Sequence, residues 1–303
     1  MINPGMPAAH PEGLSSRLLT SVGRLSWLVF TLLALLAHPQ RVSAAPQGKE
    51  QPLIVGVVPQ YTPLQIHTDW TPLLERLSRD SGVPLALKIY PSIQKFEADL
   101  LKGVPDFAFM NPYHEVMARH AEGYVPLVRD SKPLTGVLLV RTDSPIQRVK
   151  ELSGSKLAFP APNAFGASLY MRALLAEQEG IKIEPVYVKT HSNVFRQVIL
   201  GEVGGGGSVN SAFLREPAAV GAQLRIIFET PGVAPHPLSA HPRVSLAQRK
   251  AVAQAMLQLR QDAAAAPLLQ AVQMATPVAA DYARDYQPLE RLKLEKYLVI
   301  EAD

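Results

Sequence analysis

From residue 51 onward the chain alternates short apolar runs with longer stretches whose apolar residues recur at helical spacing. Strands that are apolar throughout need cover on both faces, and helices between consecutive strands provide it. The pattern therefore constrains the fold to the α/β class with mostly parallel sheets. The run 53–58 (LIVGVV) reads as a buried strand ending at Pro59. A helix is expected from about Asp69 to Gly82, with Leu73, Leu74 and Leu77 on one face. Strand-like 86–90 leads to a helix after Ser92, carrying Ile93, Phe96 and Leu100. The strand 106–110 (DFAFM) then runs into Asn111-Pro112-Tyr113 and a helix to about Glu122.

After the apolar strand 135–141 (TGVLLVR) the pattern starts afresh. Helix 145–152, strand 157–159, helix 168–178, strand 185–188 and helix 192–200 follow, then the Gly-rich 203–209 and strand 224–228. Two such series imply two lobes. The Pro-rich 231–242 carries the chain back to the first lobe, and Ser245 with Gln248 forms a capping box for a helix to about Arg260. The expected division is 1–44 as a leader, 45–137 as the first part of lobe one, and 138–230 as lobe two. Residues 231–303 form the return to lobe one with C-terminal helices.

The leader reading rests on Arg17 and Arg24 before the uncharged apolar run 25–37, followed by the small-x-small site Val42-Ser43-Ala44. The run falls short of the roughly 20 apolar residues a membrane span needs, so a cleaved signal peptide and a periplasmic location are expected. Half of the formal net charge of +4 sits in this leader. The remaining charges are scattered, which argues against a nucleic-acid partner. The chain has no cysteine. Disulfides, thiolate metal sites and a lipidated cysteine are thereby excluded, and a domain of this size is stable by core burial.

Open α/β sheets bind ligands at the C-terminal ends of their strands. Four loops stand there. Pro59-Gln60-Tyr61-Thr62 follows the first strand and Asn111-Pro112-Tyr113 follows DFAFM. The loop Asn163, Ala164, Phe165, Gly166, Ala167, Ser168 follows 157–159, and His191, Ser192 and Asn193 follow 185–188. Each supplies amides, hydroxyls or a ring, and none is dominated by charge, which suits a small-molecule cleft. In 157–175 (LAFPAPNAFGASLYMRALL) a strand breaks at prolines and re-enters as a helix with Ser168 at its N-cap, leaving free N–H groups of the kind that bind anions.

Chemistry beyond binding finds no support. Gly204 to Gly207 lacks the Lys-Ser/Thr of a phosphate loop, the Gly-Ser pairs lack a nucleophile elbow, and no acid pair sits at a strand end. His236 and His241 have no acidic partner close in sequence, so no metal is expected. His191 and His236 read instead as hydrogen-bonding groups at the cleft.

Six segments in order, LIVGVVPQYTP, DWTPLLERLSRDSGVPL, DFAFMNPYHEVMA, LLVRTDSPIQRVKELSGSKLAFPAPNAFGASLYMRALL, THSNVFRQVILGEVGGGGSVN and RIIFETPGVAPHPLSAHPRV, carry a resemblance. The chain resembles the periplasmic substrate-binding proteins of ABC transporters, in the phosphate/phosphite/phosphonate (PhnD-like) branch, from about Leu53 to Gln258. The resemblance implies a type II binding-protein fold, two α/β lobes joined by two crossover strands near 134–140 and 231–240. It further implies a non-enzymatic monomer without cofactor, closing on a small anionic or polar ligand for a membrane permease or, alternatively, for a sensor kinase. The implied ligand-binding residues are Tyr61, Thr62, Asn111, Tyr113, Asn163, Phe165, Gly166, Ala167, Ser168, His191, Ser192, Asn193 and His236. Two departures stand out. The Ser-Thr-Ser-Gly run usual in phosphonate binders is Ala164-Phe165-Gly166-Ala167 here, and the aspartate common after Gly201-Glu202-Val203 is replaced by Gly204 and Gly205. Both disfavour an aminoalkylphosphonate, and favour a larger or less charged ligand or another small anion held by backbone amides.

Overall fold

The computed structural model describes residues 51–299, so the expected signal peptide at 1–44 lies outside the described residues. In the first sheet, β1 (Leu53–Val57) pairs in parallel with β2 (Leu85–Lys88) on one side and β3 (Phe107–Phe109) on the other. The crossover helix α1 (Pro63–Ser81) starts at Pro63, not near Asp69. Thr62 accepts a hydrogen bond from the Gln65 N–H at 3.3 Å, and the proline occupies the first turn. That turn exposes Pro63, Leu64, His67 and Thr68, so the apolar periodicity alone could not reveal it. The helices α2 (Ile93–Leu100) and α3 (Pro112–Glu122) start behind side-chain caps from Ser92 and Asn111.

The expectation of mostly parallel sheets is corrected to mixed ones. β10 (Pro237–Ala240) returns from the second lobe and inserts antiparallel between β3 and β4 (Val125–Asp130), with β11 (Pro277–Ala279) antiparallel on the edge. A strand entering from the other lobe meets this sheet running the opposite way, which short apolar runs in the sequence do not disclose. Helix α7 (Leu246–Gln258) begins with the expected Ser245/Gln248 capping box and packs on α1, β4 and β11.

The second sheet has the order β7-β6-β8-β5-β9. β6 (Lys156–Phe159) lies parallel to β7 (Glu184–Tyr187) and β8 (Gly205–Val209), while β5 (Gly136–Arg141) runs antiparallel to β8 and β9 (Leu224–Glu229). The continuous apolar run of β5 serves two faces. Leu138 and Val140 pack with Phe159, Met171 and Leu175, whereas Val137 and Leu139 pack with Val194, Phe195 and Val198. The expected helix at 145–152 is only a 3₁₀ turn, Val149–Leu152.

The Gly-rich segment is a fully buried strand. A Cβ on Gly207 would stand 2.1 Å from the Ala167 carbonyl oxygen and 2.6 Å from the Phe159 ring, and one on Gly136 would stand 2.1 Å from the Gly166 carbonyl oxygen. Only bare backbone lets the turn at 165–169 lie on β5 and β8. Between the sheets the chain crosses at 131–135 and 230–236, tied by the antiparallel bridge Leu134–Val233 with N···O distances of 2.9 and 3.0 Å. These links are shorter than the expected crossovers, because Gly136 and Pro237 already belong to β5 and β10. The core of the first lobe runs on into Phe165, Ala167, Leu169, Val209 and Ala212 of the second, so the lobes meet over an apolar interface.

Candidate functional site

Four helices begin at one place. The first residue of α2, the Asn111 cap of α3, and the first residue of α5 (His191–Ile199) all line one small cavity between the lobes. So does the π turn Phe165–Leu169 that continues as α4 (Tyr170–Glu177). The cavity measures about 20 Å³, the size of one water. Val58, Gln60, Ile93, Asn111 and His236 form its first-lobe wall, and Pro160, Ala164, Phe165, Gly166, Ala167, His191 and Val209 its second. Among the described residues no acidic side chain, lysine or arginine lines it. Phe165, Gly166 and Ala167 occupy the opening turn, where backbone N–H groups have no carbonyl of their own helix to reach. Each converging helix start adds about 1 kcal/mol of preference for a negative charge.

The two cavity histidines are neutral. Burial pushes His191 down to about 4, with its Nδ1 2.8 Å from the Ser208 hydroxyl. Burial and the neighbouring His114 and His191 push His236 down to about 3, and its Nε2 lies 2.9 Å from Gln60 Nε2. Neutral imidazoles with oriented partners are hydrogen-bonding groups rather than charges. Asn111 donates through Nδ2 to the Asn163 carbonyl at 3.1 Å, a bond from lobe to lobe.

Of the thirteen residues expected at the site, Asn111, Phe165, Gly166, Ala167, His191 and His236 share this cavity wall. Tyr61, Thr62 and Asn193 line an adjoining groove of about 560 Å³ that shares Ile93 and Pro160 with the cavity. There Thr62 caps α1, the Asn193 amide donates to the Val188 carbonyl at 2.8 Å, and the Arg215 guanidinium covers the Tyr61 ring at 4.6 Å. Ser192 donates to Glu216 at 2.7 Å.

Ser168 is not an N-cap. The helix opens at Phe165 as a π turn, which places Ser168 inside it, fully buried, with its hydroxyl accepting from Arg172 Nε at 3.1 Å. The bulged turn adds a residue to the helix start, which apolar spacing cannot register.

Asn163 and Tyr113 belong to a different contact. Asn163 donates to Glu97 at 3.0 Å and to the Val299 carbonyl at 2.8 Å, and accepts from the Val299 N–H at 3.0 Å. Tyr113 donates to Glu295 at 2.9 Å while its ring lies parallel to Phe165, centroids 6.3 Å apart. Arg172 donates to the Tyr297 carbonyl at 2.9 Å and Lys296 pairs with Glu177 at 2.6 Å. The C-terminal segment therefore straps both lobes beside the cavity.

Sequence reasoning missed Gln60, although its loop was marked. It also missed Arg215, whose pairing with Asp69 at 2.6 Å joins α1 to α6 (Asn210–Arg215) across the lobes. Nothing local signals Arg215, since its partner lies far away in the chain. A further groove of about 620 Å³, near the crossovers, holds Lys132 and Arg215. With Arg215 neutralised by Asp69 it offers less to an anion than the helix starts do.

The family of ABC transporter, phosphonate, periplasmic substrate-binding proteins matches residues 55–286. The chain belongs to that family. Its relatives of known structure share the type II binding-protein fold. A binding protein component of an ABC phosphonate transporter from Pseudomonas aeruginosa superposes with a TM-score of 0.72 at 14% identity, covering 80% of this chain and 86% of that one. PhnD1 from Prochlorococcus marinus, in complex with methylphosphonate, gives a TM-score of 0.72 at 15% identity, covering 80% and 98%. XAC2383 from Xanthomonas citri, bound to ATP, gives 0.63 at 18% identity, covering 82% and 99%. No curated protein matches the sequence. The family supplies the ligand-binding component of a transporter. Among the described residues no helix is long and apolar enough to cross a membrane.

Proposed function

We propose that this protein captures a small oxyanion of the phosphonate class in the cavity between its lobes and delivers it to the permease of an ABC importer. The observation that carries the reading is the convergence of four helix starts on one buried, uncharged wall between the lobes. Such a wall holds an anion by N–H groups and helix dipoles, without a countercharge. Phe165 takes the place where a hydroxyl would have held an oxygen, so the N–H groups of Phe165, Gly166 and Ala167 carry that task. With no carboxylate on the wall to receive an ammonium group, the fitting ligands have small apolar substituents, as methylphosphonate does in its complex with PhnD1. A cavity of about 20 Å³ cannot admit such a molecule, so the lobes separate to load it and close over it. The signal peptide, a periplasmic location and a monomeric state complete the reading.

Thermal-shift and calorimetric titration with methylphosphonate, phosphite, phosphate and methanesulfonate test it. A tight ligand at a hundredfold over its Kd stabilises by about 2.7 kcal/mol, a readily measured rise in Tm. Failure of every oxyanion, with a rise for a neutral or cationic solute, overturns the proposal.

A further inference from the structure

A chain of hydrogen bonds enters the cavity from the far side of the lobe interface. Ser211 of α6, in the second lobe, donates through its hydroxyl to Gln273 Oε1 at 2.8 Å. Gln273 Nε2 donates to Gln60 Oε1 at 3.0 Å, and Gln60 Nε2 lies 2.9 Å from His236 Nε2. Gln273 is held with φ of +59°, a left-handed conformation rare outside glycine, so the surrounding backbone fixes its position. Gln60 and His236 are both buried, and His236 lies flat against Phe109 with ring centroids 5.4 Å apart.

A carboxamide has one accepting and one donating end. The Gln60 carbonyl is taken by Gln273, so only its NH₂ remains for His236. His236 Nε2 must then accept, which puts the single ring proton on Nδ1.

We infer that Ser211, Gln273 and Gln60 form a relay that holds His236 neutral, with its ring proton on Nδ1, beside the ligand cavity, and that the relay is complete only when the lobes are closed. The inference rests on the cavity being the ligand site, but the state of His236 can be read without any ligand. A doubly protonated His236 presents N–H at both nitrogens. Gln60 would have to turn its carbonyl toward the ring, Gln273 would have to turn over with it, and Ser211 would have to accept from Gln273 where it now donates. Closure therefore disfavours protonation of His236, which must reverse both amides and bury a charge.

The surroundings act in the same direction. The ionisable groups facing His236 are His114 from α3, His191 from α5, and Asp130, Lys132 and Arg215 along the groove near the crossovers. Asp130 is engaged by the N–H groups of Lys132 and Thr276, both at 2.7 Å, and Arg215 by Asp69. No free carboxylate among them favours an imidazolium. The sign follows. A histidine whose proton affinity falls on closing contributes to closure above its open-state value, about 6.5, and that contribution is lost as the pH falls below it. Gln60, Gln273 and Ser211 are positioning residues, since they act through His236.

The decisive experiment is ¹⁵N NMR of the histidine rings in the ligand-free protein, wild type against Gln273→Glu. A carboxylate cannot donate, so in the variant Gln60 gives its NH₂ to Glu and its carbonyl to His236. The wild type should show an unprotonated Nε2 and a protonated Nδ1 above its open-state midpoint of about 6.5, because Gln273, Gln60 and His236 belong to the first lobe and stay linked when the lobes part. The variant should show a protonated Nε2 and a titration midpoint more than one pH unit higher. Gln273→Met, of similar volume and no polarity, should leave the two tautomers mixed. A wild type with its proton on Nε2, or a tautomer indifferent to both substitutions, overturns the relay. Methylphosphonate titrations at pH 7.5 and 5.5 read the consequence. The wild type should lose about tenfold more affinity than Gln273→Glu, as one histidine titrating near 6.5 requires. The ligand's own protonation is common to both proteins. A wild type that binds no methylphosphonate at either pH counts against the proposed ligand, while the tautomer result still decides the relay.

Discussion

The two lobes build their halves of the cavity in opposite ways. The first lobe ends its strands in bulky residues such as Phe107 and Phe109 and brings side chains to the wall, namely Gln60, Asn111 and His236. The second lobe strips its central strand to Gly205, Gly206 and Gly207, so that a helix start lies directly on the sheet and offers backbone N–H groups. Side chains can be oriented by further side chains and can titrate. Backbone groups are fixed by packing and cannot. The first lobe thus carries the relay that responds to pH, and the second, His191 apart, sets shape.

The sharpest way to break this contrast is to give the second lobe a side chain where it has none. Gly207→Ala places a methyl against the Ala167 carbonyl and the Phe159 ring. It should cost about 3 kcal/mol or more in urea unfolding and move the turn at 165–169. A neutral result would mean that the bare strand is not what lets the helix start approach.

The pH response of the first lobe can be isolated at Glu115. Burial raises its carboxyl to about 8, against the opposing hydrogen bond from Ser239 at 2.6 Å and the nearby Arg119. A folded-state value above the unfolded one stabilises the fold fully at low pH, and that contribution is lost as pH rises toward 8. Glu115→Gln should leave stability near pH 4 little changed and raise it at pH 8 by on the order of 3 kcal/mol. Urea titrations at the two pH values read this, and parallel wild-type and variant curves would contradict it.

Asn111 sharpens the comparison at a single side chain. Its Oδ1 caps α3 by accepting from the His114 N–H at 2.8 Å, while its Nδ2 reaches the Asn163 carbonyl. Asn111→Ala should cost about 2 kcal/mol from cap and interlobe bond together. Asn111→Asp keeps the cap but sets a buried carboxylate against the Asn163 carbonyl, so it should recover little stability and weaken anion binding by at least tenfold through like charge. Equal affinity for Asp and Asn would remove Asn111 from the site.

The smallest effect is expected beside the cavity. Tyr113→Phe removes the bond to Glu295 and keeps the ring against Phe165. It should cost about 1 kcal/mol and leave methylphosphonate affinity unchanged. A large affinity loss would place the hydroxyl at the ligand after all.

Much of this was legible in the sequence, and the reasons differ by feature. Strand ends followed by small polar loops pointed to Asn111, Phe165, Gly166, Ala167 and His191, and imidazole chemistry in the Pro-rich return pointed to His236; all six line the cavity, because such loops are local in sequence. The three strands missed outright, β4, β10 and β11, are half-polar or proline-bounded, and β4 and β11 join the sheet only through β10, which returns from the other lobe. Ser168 looked like a cap because a hydroxyl precedes an apolar run, yet the π turn shifts the helix start. Asn163 and Tyr113 are taken up by Glu295 and Val299, contacts between chain segments too distant for any spacing rule. The relay from Ser211 to His236 is of the same kind, since each of its links joins residues remote in sequence.

The central claim is that an oxyanion sits between the lobes on the backbone of the second and the side chains of the first. A crystal structure of the protein grown with methylphosphonate tests it most directly. The phosphonate oxygens should lie within hydrogen-bond distance of the N–H groups at 165–167 and of the His191 or His236 ring. Methylphosphonate bound instead in the groove of Lys132 and Arg215, with the cavity between the lobes unchanged, would contradict the claim.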